Sequence, residues 1–223
     1  MSAITGSRTI VYVDGFNLYY GALKRSPYRW LDLVKFFRAV FPQNDIVAVR
    51  YFTALINPQP GDLDQPLRQQ LYLRALATRP EISVIHGHYL CHPKKMPLVT
   101  PDASGRRFAD VLFTEEKGSD VNLASYLLMD GFRDRYECAI VVSGDSDLAT
   151  PITMIRGELN KKVGVLLPQR LSDGPDFKPR KSAKLKSVAT FFRQGVREGV
   201  LASSQLPNPI TDASGTFHKP ASW

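Results

Sequence analysis

The sequence predicts a three-layer α/β/α sandwich, Rossmann-like, around a central and mainly parallel five-stranded sheet. Three observations predict it. Apolar, β-branched runs alternate with segments of helical periodicity, the pattern of parallel crossovers. The runs at 9–13 and 139–143 are almost uninterruptedly apolar, as strands covered on both faces are. Both run into acidic residues, Asp14 in the first case and Asp145 and Asp147 in the second. That places carboxylates at the carboxyl edge of the sheet, where open α/β folds bind their ligands.

The elements follow in order. Residues 9–13 form the first strand, and a helix starts within 18–23, just after Asn17. Residues 31–41 carry Leu33, Val34, Phe36, Phe37, Val40 and Phe41 on a helical face, which Pro42 stops. Alternation over 46–53 gives a second strand, and the breakers of 57–61 a loop. Residues 66–77 are helical, with Leu67, Leu71, Arg74 and Ala75 at helical spacing. Residues 82–89 make a third strand. The prolines, lysines and Gly105 of 92–107 show little periodicity and read as a long flap. A helix over 120–129 takes Ser119 as its N-cap. Residues 139–143 are the fourth strand, 148–159 a helix with Pro151 in its first turn, and 162–167 the fifth strand. Residues 182–196 read as a last helix, with Leu185, Val188, Phe191 and Phe192 on one side. The expected division is a catalytic domain over 1–167, a basic segment with a packed helix over 168–202, and a Pro/Ser-rich tail over 203–223.

Hydrophobic residues make up 43% of the chain and charged ones 22%, so a substantial core is available. No apolar stretch has membrane-span length, and the first residues lack a signal-peptide layout. Two cysteines give no disulfide framework, so a reducing, cytoplasmic setting is expected. The net charge of +8 suits a polyanion, though charge alone does not separate a nucleic-acid binder from a soluble basic protein. Residues 168–200 hold eight Lys or Arg against three acidic residues. Lys181, Lys184 and Lys186 are therefore candidates to track a phosphate backbone.

Several carboxylates at one sheet edge repel one another, and a hard cation is their natural neutraliser. Asp14 and the Asp145/Asp147 pair are the candidates; one Asp of the pair can cap the next helix while the other binds metal. Glu115, Glu116, Lys117 and Asp120 form a mixed-charge patch at a helix start, with Lys117 suited to a phosphate or leaving oxygen. Asn17 and Ser143 are placed to position ligands, and Tyr19, Tyr20 and Arg25 to stack unpaired bases. His86, His88, Cys91 and His92 suggest zinc, with His86 and His88 on one strand face, but no second ligand pair recurs elsewhere. The chain has no Walker-type loop, no G-x-G-x-x-G and no G-x-S-x-G elbow.

Three motifs carry a resemblance: Val13-Asp-Gly-Phe-Asn-Leu-Tyr19, Thr114-Glu-Glu-Lys-Gly-Ser-Asp-Val-Asn-Leu-Ala124 and Val142-Ser-Gly-Asp-Ser-Asp-Leu148. In them, and over about 9–167, the chain resembles the NYN domain family of the PIN-like nuclease group, above all its bacterial LabA-like members. The resemblance implies an acidic Mg²⁺ or Mn²⁺ site and cleavage of RNA. It carries the metal ligands to Asp14, Asp120, Asp145 and Asp147, with Asn17 beside them. Many relatives have a further Asp where this chain has Tyr126. The reading is a metal-dependent endoribonuclease whose partner is RNA, with no membrane partner; a homodimer is compatible with it. The alternatives are an RNA-binding regulator that has lost turnover and a small-molecule phosphoesterase.

Overall fold

The computed structural model describes residues 6–58, 61–171 and 181–223. The chain opens with β1 (Ser7–Asp14), a short α1 (Gly15–Leu18) and a π-helical turn (Tyr19–Leu23). There follow α2 (Leu33–Val40), β2 (Asn44–Thr53), α3 (Gln65–Ala77) and β3 (Ile82–His86). A two-stranded arm comes next, β4 (His88–Pro97) and β5 (Phe108–Lys117), then α4 (Ser119–Phe132) and β6 (Cys138–Val142). A 3₁₀ turn (Ser146–Leu148), α5 (Ala149–Glu158), β7 (Lys162–Leu166) and β8 (Arg170–Leu171) lead to α6 (Ala183–Val188) and β9 (Phe191–Arg193). The chain closes with β10 (Val196–Arg197), α7 (Glu198–Ser203) and a hairpin of β11 (Ile210–Asp212) and β12 (Gly215–Phe217).

The central sheet has the order β3-β2-β1-β6-β7-β9, and every pairing in it is parallel. It is six-stranded rather than five-stranded. The sixth strand is Phe191–Arg193, within what the sequence presents as one helix over 182–196. Gly164 explains the difference: a Cβ there would stand 2.1 Å from the Phe191 ring. Its absence lets Phe191 lie against β7, and α6 ends at Val188.

Alternation along the strands sorts the core into two layers. Val11 and Val13 of β1 and Ile140 and Val142 of β6 face α2, α3 and α7. Ile10 and Tyr12, with Ala139 and Val141, face α4, α5 and α6. In α2 the Asp32 side chain accepts from Lys35 N at 3.1 Å and starts the helix. Its buried Phe36 and Phe37 each contribute roughly 2–3 kcal/mol by burial. A buried polar knot ties the second layer. Asp130 of α4 accepts from the Tyr12 hydroxyl (2.8 Å), Arg50 Nε (2.5 Å) and Arg135 Nη1 (3.1 Å).

Two further differences, in the third strand and the flap, follow from long-range packing, which also seats the tail. The strand expected over 82–89 breaks at Gly87, where the chain leaves the sheet, so His86 and His88 belong to different sheets. The flap of 92–107 is the outer part of the β4–β5 arm and its turn. The tail folds back: Leu206, Ile210 and Phe217 are buried, and Trp30 Nε1 donates to Pro207 O at 3.0 Å. Among the described residues no helix is long and apolar enough to cross a membrane.

Candidate functional site

The sheet grows from β1 to β2 and β3 on one side and to β6, β7 and β9 on the other. The carboxyl ends of β1 and β6 therefore flank the switch point where such folds open a crevice. Asp14, at the end of β1, is 4% exposed. Its Oδ1 accepts from Asn17 N at 2.9 Å and caps α1; its Oδ2 accepts from Asn17 Nδ2 and from Ser143 Oγ at 2.9 Å. Ser143 Oγ in turn accepts from Asp145 N at 3.0 Å, and Asn17 Oδ1 from Gly144 N at 3.2 Å. The ends of two strands are thus locked around one carboxylate. Burial pushes the Asp14 carboxyl up; the donors on Asn17 and Ser143 pull against it.

Two more carboxylates arrive from the arm and α4. Gly118, at φ +91°, lets β5 turn directly into α4, a backbone shape that favours glycine. It is the N-cap, and Ser119 is the first helical residue instead of the cap. Ser119 N is held by Glu116 at 3.0 Å. Asp120 then stands in the first turn with its carboxyl pushed up to about 6. Burial is the largest cause, followed by the charges of Asp14, Asp145 and Glu116 and a hydrogen bond with Asp145. All of these act in the same direction. The donor set is carboxylate oxygen only, which fits a hard divalent cation. The fit lies in this donor chemistry: among the described residues no three His, Cys, Asp or Glu side chains stand together as a finished cage.

The Asp120 geometry has a pH consequence. An acid raised from 3.8 to about 6 on folding removes stability as pH rises through that interval. Without metal, Asp120→Asn is expected to add up to about 1 kcal/mol near pH 7.5, since water screens its open face. The gain should vanish near pH 4. Urea unfolding in EDTA at both values checks this; an equal effect at the two pH values would remove the carboxylate-repulsion argument.

The remaining sequence-predicted residues divide. Asp145 accepts from Asp147 N at 2.9 Å, capping the 3₁₀ turn while also facing Asp120; Asp147 is exposed. Lys117 Nζ lies 3.3 Å from Glu115, on the strand face opposite Glu116. Tyr19 and Tyr20 line a cleft that begins at Gly15, whereas Arg25 is exposed outside its lining. Lys181 lines a second cleft together with Asn17 and Gly144. Lys184 lies over α5, and Lys186 is exposed. Lys178 and Arg180 of the basic segment lie outside the described residues. Tyr126 packs on Phe52, under the Arg50 guanidinium at 5.2 Å. His92 meets the Phe113 ring edge-on.

Glu116 is the site carboxylate that the sequence reading leaves without a role. Its signal is alternation: Glu115 and Lys117 share one face of β5 and Glu116 takes the other. Reading the segment as a helix start hides it.

A model of the family described as the NYN domain matches residues 8–192. A curated protein of Pseudomonas putida (strain DSM 28022 / S16) is 32% identical over 244 aligned residues, which span 97% of this chain and 75% of that protein. It bears the name 6-hydroxy-3-succinoylpyridine 3-monooxygenase HspA. A crystal structure of a protein of unknown function from Vibrio parahaemolyticus RIMD 2210633 is similar at a TM-score of 0.49 and 19% identity, over 89% of this chain and 98% of that one. A sirtuin structure, titled for the structural basis of substrate affinity, reaches a TM-score of 0.35 at 13% identity, over 90% and 92% of the two chains.

Proposed function

The chain belongs to the NYN domain family, and from that premise we propose that it is a metal-dependent ribonuclease, an endonuclease hydrolysing RNA phosphodiester bonds at the switch point. The observation that supports the reading is the set of carboxylates around Asp120: burial first, then the charges of Asp14, Asp145 and Glu116, push its carboxyl up to about 6. Asp14, Asp120 and Asp145 would hold Mg²⁺ or Mn²⁺, with Asp147 as an outer group. Held by these carboxylates, such an ion would supply a water of lowered pKa and offset charge on the phosphate. Asn17 and Ser143 fix the orientation of Asp14 through the hydrogen bonds described above. Lys181, beside Asn17 and Gly144, holds the strand by a phosphate, and Tyr19 and Tyr20 meet its bases.

Cleavage of labelled RNA in Mn²⁺, with and without chelator, tests the reading. Binding without cleavage would favour a regulator that has lost turnover. Hydrolysis of a chromogenic phosphoester without RNA cleavage would favour a small-molecule phosphoesterase. The name of the Pseudomonas relative supports one further reading, turnover of a small aromatic acid, which the aromatic cleft after Asp14 favours. The carboxylate group puts the nuclease reading ahead of it.

The lysines provide another measurement. Lys181→Gln should weaken RNA binding and reduce the slope of log K against log salt by roughly 0.7, the value for one phosphate contact on a single strand. Lys184→Gln with Lys186→Gln, farther from Asn17, should lower affinity equally for all sequences and leave cleavage at saturating RNA intact. Titrations at several salt concentrations check both; unchanged slopes would reduce these lysines to solubilising charges.

A further inference from the structure

The cleft that begins at Gly15 is distinct from the carboxylate group and carries its own chemistry. Its enclosed volume is small, about 50 Å³, and it opens to solvent. One wall is aromatic: Phe16 stacks on Tyr20 at 6.4 Å and 20°, and Tyr20 is 51% exposed. The π-helical turn brings Tyr19 and Tyr20 both to this wall; such turns recur at functional sites. The floor is Gly15 against Tyr51. A Cβ at Gly15 would lie 2.7 Å from the Tyr51 ring, so the floor exists because residue 15 has no side chain. The opposite wall is α3, which presents Gln65, a partner of the Tyr20 hydroxyl.

Two polar groups in the lining are only partly matched or unmatched. Arg29 is half-buried, its Nε donates to Ser26 O at 3.0 Å, and among the described residues no carboxylate pairs with its guanidinium. The Trp223 indole Nε1 is buried without an acceptor. An aromatic slot with an unpaired guanidinium at its side suits a flat heteroaromatic ring that carries an anion. At its mouth the half-exposed Tyr20 ring, stacked on Phe16, is free to take an unpaired base, which aromatic side chains recognise by stacking.

We propose that this cleft is a nucleotide subsite: it takes one unpaired base of the bound RNA against Tyr20 and Phe16, with a neighbouring phosphate on Arg29. The inference rests on the ribonuclease reading for the identity of the strand and sets which nucleotide stands beside the scissile position. Gly15 and Phe16 follow Asp14 directly, so a base in the cleft is next to the carboxylates.

Binding of a labelled single-stranded RNA hexanucleotide, measured in EDTA so that no cleavage occurs, tests it. Tyr20→Ala should weaken binding at least about fivefold, the low end for loss of one stacked base. Arg29→Gln should weaken binding about tenfold, as loss of a charged hydrogen bond does. Arg29→Gln should also erase the preference of the cleft for AMP over adenosine, which a merely structural role would not move. If both variants bind and discriminate as wild type does while wild type cleaves RNA, the subsite is wrong and the nuclease reading stands. If AMP binds through Arg29 but no RNA is cleaved, the nuclease reading fails and the subsite stands. Nicotinate binding through Arg29 and Tyr20 without competition from AMP would overturn the subsite in favour of a small aromatic acid.

Discussion

Asp145→Asn should lower Mn²⁺-dependent RNA cleavage by roughly two to three orders of magnitude while leaving the fold intact. The size is that of removing one preorganised electrostatic partner of a reacting phosphate. The fold should survive because Asp145 spends one oxygen on Asp147 N at 2.9 Å, and an Asn side chain keeps that acceptor. Removing its charge also relieves Asp120, so thermal stability without metal should be unchanged or higher. Asp14→Asn should be as inactive, but less stable. Asp14 Oδ2 faces two donors, Asn17 Nδ2 and Ser143 Oγ, and an amide nitrogen there would oppose them, costing about 1–3 kcal/mol. Asp145 is therefore the cleaner test. Single-turnover cleavage with circular dichroism and melting as controls decides it; a wild-type rate in Asp145→Asn would remove this residue from the site.

Much of this geometry is legible in the sequence because it is local. The apolar run into Asp14 and the Ser143-Gly-Asp-Ser-Asp147 motif each state a strand and its exit within nine residues. What the sequence hides is pairing. Phe191 and Phe192 continue the periodicity of Leu185 and Val188, and only the bare backbone of Gly164 makes the first of them a strand residue. Pro93, Pro97 and the lysines of the arm obscure the alternation that pairs His88–Pro97 with Phe108–Lys117, and with it the placement of Glu116. The basic segment looks separate from the carboxylates in the sequence, yet Lys181 lines a cleft with Asn17. Asp130 has no role in the sequence reading, because its partners Tyr12 and Arg50 lie 118 and 80 residues away.

That acid sets the second large effect. Asp130 is 1% exposed and the Arg50 side chain 13%, so this ion pair is almost wholly removed from water. Such pairs add little net stability, but deleting one member strands the other charge at a cost of about 3–5 kcal/mol. Asp130→Ala also takes the acceptor from the Tyr12 hydroxyl, inside the second core layer. The expected loss is therefore about 4 kcal/mol, a large part of the 5–15 kcal/mol that holds a domain. Arg50→Met in the same chain should return much of it, since neither charge is then stranded. The knot fastens α4 to β1 and β2, and α4 carries Asp120 at its other end. Asp130→Ala should then slow cleavage even below its melting temperature, although Asp130 touches no part of the proposed metal site. Urea unfolding of the two single variants and the double variant measures the coupling. A loss below about 1 kcal/mol in Asp130→Ala, or strict additivity with Arg50→Met, would show that the knot does not hold α4 in place.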